Sequence, residues 1–325
     1  MLTYDLNGDN ILDLLQINNG FEIPLGTGDG SFSGSSSLQL NNFDVPTGFS
    51  FGDFNGDGKE DFVFALIDKH NQVHLFLGDG SGKFQQLPGF GNFVNPEATA
   101  VGDFNRDGFL DLAVTDVTGF YVLLGNGDGT FQSQQANSSL ERPLSPIAAD
   151  FNGDGILDLA FLDADLGEVA ILIGNGDGTF QAPIATPVGA TEGLLFLNDF
   201  NADGKLDLAL EPANSQREII ILIGNGDGTF QSSQYLTGFT SVPSFTVGDF
   251  NSDGKSDLLA YTLKGSLGAL LLGNGDGTFQ PAIHINLPGP RTEKGSPIIG
   301  DFNSDGLLDF GIGVGGTEVL LQQPQ

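Results

Sequence analysis

Aspartate and asparagine recur in this chain at a spacing that can surround a hard cation with oxygen. The first set is Asp5, Asn7, Asp9, Ile11 and Asp13, the second Asp53, Asn55, Asp57, Lys59 and Asp61, and the third Asp103, Asn105, Asp107, Phe109 and Asp111. Four more sets complete the series: Asp150, Asn152, Asp154, Ile156 and Asp158; Asp199, Asn201, Asp203, Lys205 and Asp207; Asp249, Asn251, Asp253, Lys255 and Asp257; and Asp301, Asn303, Asp305, Leu307 and Asp309. In each loop the side chains at positions 1, 3 and 5 are expected to point inward. Position 7 offers its backbone carbonyl, and Asp at position 9 closes the shell. Such an all-oxygen set suits the six to eight ligands that Ca2+ takes at roughly 2.3–2.6 Å. Three carboxylates drawn into one small loop repel each other unless a cation lies among them. The expected cofactor is therefore Ca2+, up to seven ions for the seven loops.

A sharp turn is needed at position 6, which is Gly58, Gly108, Gly155, Gly204, Gly254 and Gly306 in six loops and Asn10 in the first. Glycine enters the left-handed region freely, and asparagine does so better than most residues. The first loop is accordingly expected to be the weakest. The loop begins like an EF-hand, which would need a bidentate Glu at position 12 and flanking helices. Position 12 is instead Gln16, Phe64, Val114, Phe161, Leu210, Ala260 and Ile312. Each loop runs directly into a short apolar stretch of strand length. One loop alone would read as a polar turn; the repetition of the same three carboxylates argues for ion binding.

Successive first aspartates stand 47–52 residues apart, the period of a repeat architecture. The third repeat shows the unit. A strand at 98–102 leads into the loop, a second runs 110–115, a third 120–124, and a fourth is expected to run on from Phe131. Between the last two stands Gly125-Asn-Gly-Asp-Gly-Thr-Phe131, repeated at 174–180, 224–230 and 273–279 and more loosely at 26–32 and 78–84. Asn-Gly and Asp-Gly favour tight hairpins, so Asp128, Asp177, Asp227 and Asp276 read as turn formers rather than metal ligands. Four short strands in a repeat of this length is the arithmetic of a propeller blade.

The expected fold is all-β: one domain over 1–325, a seven-bladed β-propeller of four-stranded antiparallel blades. The blades fall near 1–46, 47–95, 96–143, 144–190, 191–241, 242–293 and 294–325. The last repeat offers strands near 298–300, 309–314 and 318–321 with no turn motif after them, so its outer strand is expected to be missing. Such an edge could accept a strand from a partner; a monomer trimmed from a longer precursor is the preferred expectation. Phe follows the first Asp of six loops (Phe54, Phe104, Phe151, Phe200, Phe250, Phe302) and ends the hairpins (Phe32, Phe84, Phe131, Phe180, Phe230, Phe279). Both sets are expected to pack between blades.

The formal charge is −31, and the repeated loop aspartates make up half of the 42 acidic residues. A field of this sign repels nucleic acid and anionic membranes, and no apolar stretch is long enough to insert into a bilayer. Cysteine is absent, so disulfides say nothing of compartment. Calcium sites of extracellular modules are weak and suit the high calcium outside cells, so an extracellular setting, secreted or cell-surface, is expected although no leader is visible.

The Asp-Phe-Asn-x-Asp-Gly-x-x-Asp loop, with its strands and hairpins, resembles the FG-GAP/VCBS family of propeller repeats over essentially the whole chain. That family builds the integrin α-subunit head and many bacterial secreted proteins; Asn10 and the lack of a clear Gly-Ala-Pro segment place this chain nearer the bacterial branch. The resemblance implies a seven-bladed ring with calcium in the loop between the first and second strands of each blade, and a role in extracellular binding or adhesion. It also implies that a glycan or protein ligand sits on the face opposite the calcium loops.

On that reading the ligand segments are Asp68–Asn71, Asp163–Gly167, Glu211–Arg217 and Lys264–Ser266, with the connections Asn41–Gly48, Pro88–Glu97, Glu141–Arg142 and Leu287–Pro297. They carry Lys69, Arg142, Arg217, Lys264, Arg291 and Lys294 beside Phe43, Phe90, Phe93 and Phe239, a scatter expected merely from the exclusion of bases from acidic loops. A rigid scaffold or self-assembling unit is the main alternative function. A polysaccharide-processing enzyme ranks third: His70, His74 and His284 lack a third metal ligand at suitable spacing, and no nucleophile elbow is present.

Overall fold

The computed structural model describes residues 2–17, 20–38, 46–66, 70–137, 139–213, 218–237, 239, 244–261, 267–286, 297–313 and 317–320. Every regular element among them is a strand, and no helix is long and apolar enough to cross a membrane.

The strands pair antiparallel in chain order. Blade 1 is Leu2–Tyr4, Asp13–Ile17, Phe21–Gly26 and Phe32–Leu38; blade 2 is Pro46–Gly52, Asp61–Leu66, Gln72–Gly78 and Phe84–Gln86. Blade 3 is Ala98–Gly102, Asp111–Asp116, Gly119–Leu123 and Gln135–Asn137; blade 4 is Pro143–Ala149, Asp158–Asp163, Glu168–Leu172 and Ile184–Pro187. Blade 5 is Gly193–Asn198, Asp207–Pro212, Ile219–Leu222 and Gln234–Leu236; blade 6 is Ser244–Gly248, Asp257–Tyr261, Leu267–Leu271 and Ile283–Asn286. The seventh repeat gives Pro297–Gly300, Asp309–Gly313 and Thr317–Leu320, a sheet of three strands.

The expected seven-bladed propeller is thereby corrected to a six-bladed β-propeller of four-stranded antiparallel blades. The physical reason lies in the turn chemistry. Each four-stranded blade reverses between its third and fourth strands through a Gly-rich hairpin, and six such hairpins stand at 26–32, 78–84, 125–131, 174–180, 224–230 and 273–279. A second correction concerns blade 3. Phe131 makes only an isolated bridge to Gly125, and the fourth strand starts at Gln135. The Phe131 ring turns onto Phe54 of the preceding blade, so pairing resumes later than the sequence suggests.

Burial explains the composition of the strands. The second strands of blades 2, 3 and 4 are buried throughout, whereas the fourth strand of blade 3 is largely exposed. The chain divides into two compact units. One comprises Met1–Phe43, Gly78–Gln85 and Pro243–Gln325; the other comprises Asp44–Leu77 and Gln86–Val242.

In the second unit the cores lie between neighbouring blades. Val63, Leu75, Leu112 and Val114 join blades 2 and 3; Ala113, Phe120, Phe161 and Leu172 join blades 3 and 4; Leu162, Ile171, Leu208 and Leu222 join blades 4 and 5. The loop Phe of one blade meets the hairpin Phe of the next edge-on: Phe54 with Phe131 at 6.0 Å, Phe104 with Phe180 at 5.7 Å and Phe151 with Phe230 at 6.5 Å. Phe302 and Phe32 do the same within the first unit at 5.9 Å. Edge-on pairs of this kind contribute about 0.5–1.5 kcal/mol beyond burial.

Candidate functional site

The acidic loops share one hydrogen-bond scheme, seen fully in loop 53–61. Asp53 Oδ1 accepts the N–H groups of Gly56 (2.7 Å) and Asp57 (3.1 Å), and its Oδ2 accepts that of Gly58 at 2.7 Å. Asn55 Oδ1 accepts the Asp57 N–H at 2.9 Å, and Asp57 Oδ1 that of Lys59 at 3.0 Å. Side-chain oxygens at positions 1, 3 and 5 are thus brought together around a tightly wound backbone. Asn105 and Asp107 also join directly, with the amide of Asn105 donating to Asp107 Oδ2 at 2.8 Å.

Backbone dihedrals show why the loops wind this way. Position 6 is left-handed throughout, from φ 65° at Asn10 to φ 91° at Gly108. Position 4 is left-handed too, at Gly8, Gly56 and Gly153 but also at Arg106, Ala202, Ser252 and Ser304, with φ between 56° and 62° at these four. Sequence reasoning missed position 4 because glycine fills it in only three loops.

Position 9 has a second task. All seven aspartates there (Asp13, Asp61, Asp111, Asp158, Asp207, Asp257, Asp309) are completely buried. In each, Oδ2 accepts the N–H of position 2, as from Phe104 to Asp111 at 2.8 Å. In at least five, Oδ1 accepts the N–H of the first hairpin glycine: Gly26, Gly125, Gly174, Gly224 and Gly273. The approach is close, since a Cβ on Gly125 would lie 2.2 Å from the Leu110 carbonyl oxygen. Position 9 is therefore a buried clamp between the loop and its own hairpin. Burial, with a smaller push from the Asp107 carboxylate, raises the Asp111 carboxyl to about 6 against the pull of its backbone donors. Asp13, Asp158, Asp207 and Asp257 are raised the same way, burial first, then repulsion from positions 1 and 5.

The loops also tie blade to blade. Gly129 N–H donates to the Phe54 carbonyl at 3.0 Å, Gly178 to Phe104 at 3.0 Å, Gly228 to Phe151 at 3.2 Å and Gly30 to Phe302 at 2.9 Å. Position 7 covers the next hairpin glycine of its own blade. A Cβ on Gly127 would lie 2.2 Å from the Phe109 ring, and one on Gly226 2.9 Å from the Lys205 stem. Three loops place an ammonium beside position 5: Lys59 to Asp57 at 3.4 Å, Lys205 to Asp203 at 3.8 Å and Lys255 to Asp253 at 3.7 Å. The hairpin aspartates serve the turn, as where Asp128 Oδ1 accepts the N–H and hydroxyl of Thr130 at 3.0 and 2.5 Å.

The chemistry of the donors fits a hard cation. Each loop presents oxygen alone, and repulsion among its carboxylates is a strain that a cation relieves. Among the described residues no three His, Cys, Asp or Glu side chains converge into a metal-holding group by themselves. The set that fits is therefore mixed, with the amide at position 3 and the carbonyl at position 7 beside the carboxylates. A carboxylate oxygen has two lone pairs, so one engaged by a backbone N–H retains another.

Of the segments expected to hold a ligand, 88–97, 163–167 and 141–142 are described. Arg142 there pairs with Glu97 at 3.8 Å. Lys69, Arg217, Lys264, Arg291, Lys294 and Phe43 lie outside the described residues.

Among solved structures, a lectin from Agrocybe aegerita that recognises non-reducing terminal N-acetylglucosamine superposes with a TM-score of 0.62 at 18% identity, covering 88% of this chain and 79% of the lectin. The BP39L lectin of Burkholderia pseudomallei gives 0.64 at 12% identity, over 98% and 96%. A periplasmic gluconolactonase of Pseudomonas aeruginosa gives 0.60 at 16% identity, over 92% and 88%. At these identities the likeness is one of fold. A sequence search of curated proteins finds no match. The FG-GAP-like repeat model matches residues 5–64, 53–114, 103–161, 150–210 and 199–260. The chain belongs to the FG-GAP-like repeat family.

Proposed function

We propose that this chain is a calcium-stabilised glycan-binding module that works outside the cell. One observation carries the reading. Each acidic loop is a structural joint, clamped through its buried position-9 Asp, so the repeats form a scaffold and recognition falls to the segments that do not repeat. Calcium would be held by Asp at positions 1, 5 and 9, Asn at 3 and the carbonyl at 7, where it supplies neutralisation of clustered carboxylates. The protein's own residues do the rest: the backbone N–H groups aim the oxygens, and the clamp passes the loop's rigidity to the hairpin. Two lectins with this fold support a sugar ligand, and a strongly negative surface disfavours anionic partners.

An array of neutral and acidic glycans, probed in millimolar calcium and again in chelator, tests this. Binding to neutral glycans that fades with calcium is expected; a folded, calcium-loaded protein that binds none overturns it. A second reading, action on a sugar lactone or polysaccharide, draws on the gluconolactonase of similar fold. Turnover of such substrates by the purified chain would favour it over simple binding.

A further inference from the structure

One crevice in the second unit does not follow the repeat. It has a volume of about 590 Å3 and lies between segment 87–92, after blade 2, and residues 129–134, at the hairpin of blade 3, with Leu123 also in its lining. Its size is that of small-ligand sites, roughly 300–1,000 Å3. The hairpin wall is a repeated element, but the opposite wall is not. Segment 87–92 is fastened to blade 2 as an extra rung: Phe90 exchanges both backbone bonds with Val73 at 3.0 and 3.1 Å, and Leu87 N–H donates to the Leu75 carbonyl at 2.9 Å. The two walls are joined by one amide. Gln134 accepts the Asn92 N–H at 2.9 Å and donates to the Asn92 carbonyl at 3.0 Å. The site is therefore built before any ligand arrives.

Its chemistry is selective. Phe90 and Phe131, both half-buried, stack with centroids 4.9 Å apart and give the crevice an aromatic lining. Around it stand Asn92, Gln132 and Ser133, all exposed. No lining residue is charged, although the chain carries a formal charge of −31. A cationic or anionic ligand would find no countercharge here. A pyranose ring, with an apolar C–H face and a rim of hydroxyls, matches an aromatic lining edged by amides and a hydroxyl.

We propose that this crevice is a binding site for a neutral saccharide, the apolar face of the ring against Phe90 or Phe131 and its hydroxyls toward Asn92, Gln132 and Ser133. The inference rests on the glycan-binding reading and names the site. It joins one segment that the sequence places among ligand-bearing connections, Pro88–Glu97, to a hairpin it assigns to the scaffold.

The test uses the whole chain in millimolar calcium with a panel of methyl glycosides of neutral hexoses and N-acetylhexosamines, plus methyl glucuronide, followed by calorimetric titration. A neutral glycoside is expected to bind, glucuronide more weakly. The Gln132→Ala/Ser133→Ala pair should weaken binding at least tenfold, and Ser133→Trp should abolish it by filling the crevice. Both variants alter exposed positions, and an unchanged melting curve confirms that they fold. Neutral-sugar binding that survives both substitutions overturns this site while leaving the glycan-binding reading intact. Tighter binding of glucuronide overturns the uncharged specificity, and absence of any binding by the folded wild type overturns the site and the broader reading together.

Discussion

Loops 103–111 and 199–207 have nearly identical internal hydrogen bonds and the same buried clamp, yet they differ in the residue laid over the hairpin. Phe109 covers Gly127 with its ring; Lys205 covers Gly226 with its stem and carries its ammonium on to Asp203. A long basic side chain can thus occupy an apolar packing slot and still keep its charge at the water. The packing task is the same in both loops, but the electrostatics are not. Loops with Lys59, Lys205 and Lys255 bring a cation of their own to position 5, the Phe109 loop carries its basic residue at position 4 as Arg106, and those with Ile11, Ile156 and Leu307 hold no basic residue.

The largest effect expected is that of chelation. An ion bound only by the native state adds its binding energy to stability, about 2.7 kcal/mol per site at a hundredfold excess over Kd. With several such sites, calorimetry in chelator against millimolar calcium should show the melting temperature fall by tens of degrees. An unchanged curve would end the calcium reading and leave the two kinds of loop equivalent.

Next come the clamps. Asp111→Ala and Asp207→Ala should each cost about 3–5 kcal/mol in chemical denaturation, because each strands two buried backbone donors at about 1–3 kcal/mol apiece. The costs should match whatever stands at position 7; a large difference would mean that position 7 feeds into the clamp. Loss of the Asp111 clamp should also weaken binding in the crevice at 87–134, since the hairpin forming one wall hangs on it.

Smaller shifts sharpen the contrast. Ala202, left-handed at φ 56°, should gain about 1 kcal/mol when replaced by Gly, while Gly153→Ala should lose a similar amount. Nothing lies within 4 Å of a Cβ built on Gly153, so the backbone alone sets that cost. Lys205→Met keeps the stem and removes the charge. The pair is partly exposed, so metal-free stability should fall by less than about 1 kcal/mol; calcium affinity measured by titration should rise, because the ion no longer competes with an ammonium.

The smallest effect concerns acid. The hydroxyl and N–H of Thr179 hold the Asp177 carboxyl below the ordinary range, and Thr130 does the same for Asp128. A depressed folded pKa stabilises above the unfolded value and is lost as pH falls through the folded one, so this contribution disappears only below about pH 4. Carboxyl carbon shifts tracked by NMR should show Asp177 titrating at higher pH in Thr179→Val than in the wild type.

Much of the fold and of the acidic loops was legible in the residues, because the signals are local. Asp at positions 1, 5 and 9, Asn at 3 and the turn at 6 interact within a few residues, and the Gly-Asn-Gly-Asp-Gly-Thr-Phe hairpin closes on itself. The slots for Phe54 and Phe131 were legible for a related reason: repetition of one large residue marks a repeated contact. Left-handed φ at position 4 was hidden because Arg106 and Ala202 carry no signature of it. The six Gly-rich hairpins were legible, but counting acidic loops rather than hairpins gave seven blades where six four-stranded ones form.

The sequence by itself determined the repeat, the all-β blades and the oxygen-rich loops, since each depends on chemistry between near neighbours in the chain. Only the tertiary structure decided that Asp111 clamps Gly125, that Phe109 and Lys205 lie over hairpin glycines, and that Phe90 stacks on Phe131 to line an uncharged crevice. Those contacts join residues some 14 to 41 positions apart, across neighbouring strands of one blade or from one blade to the next. A side chain's partner there is fixed by packing and buried hydrogen bonds, which no local pattern encodes.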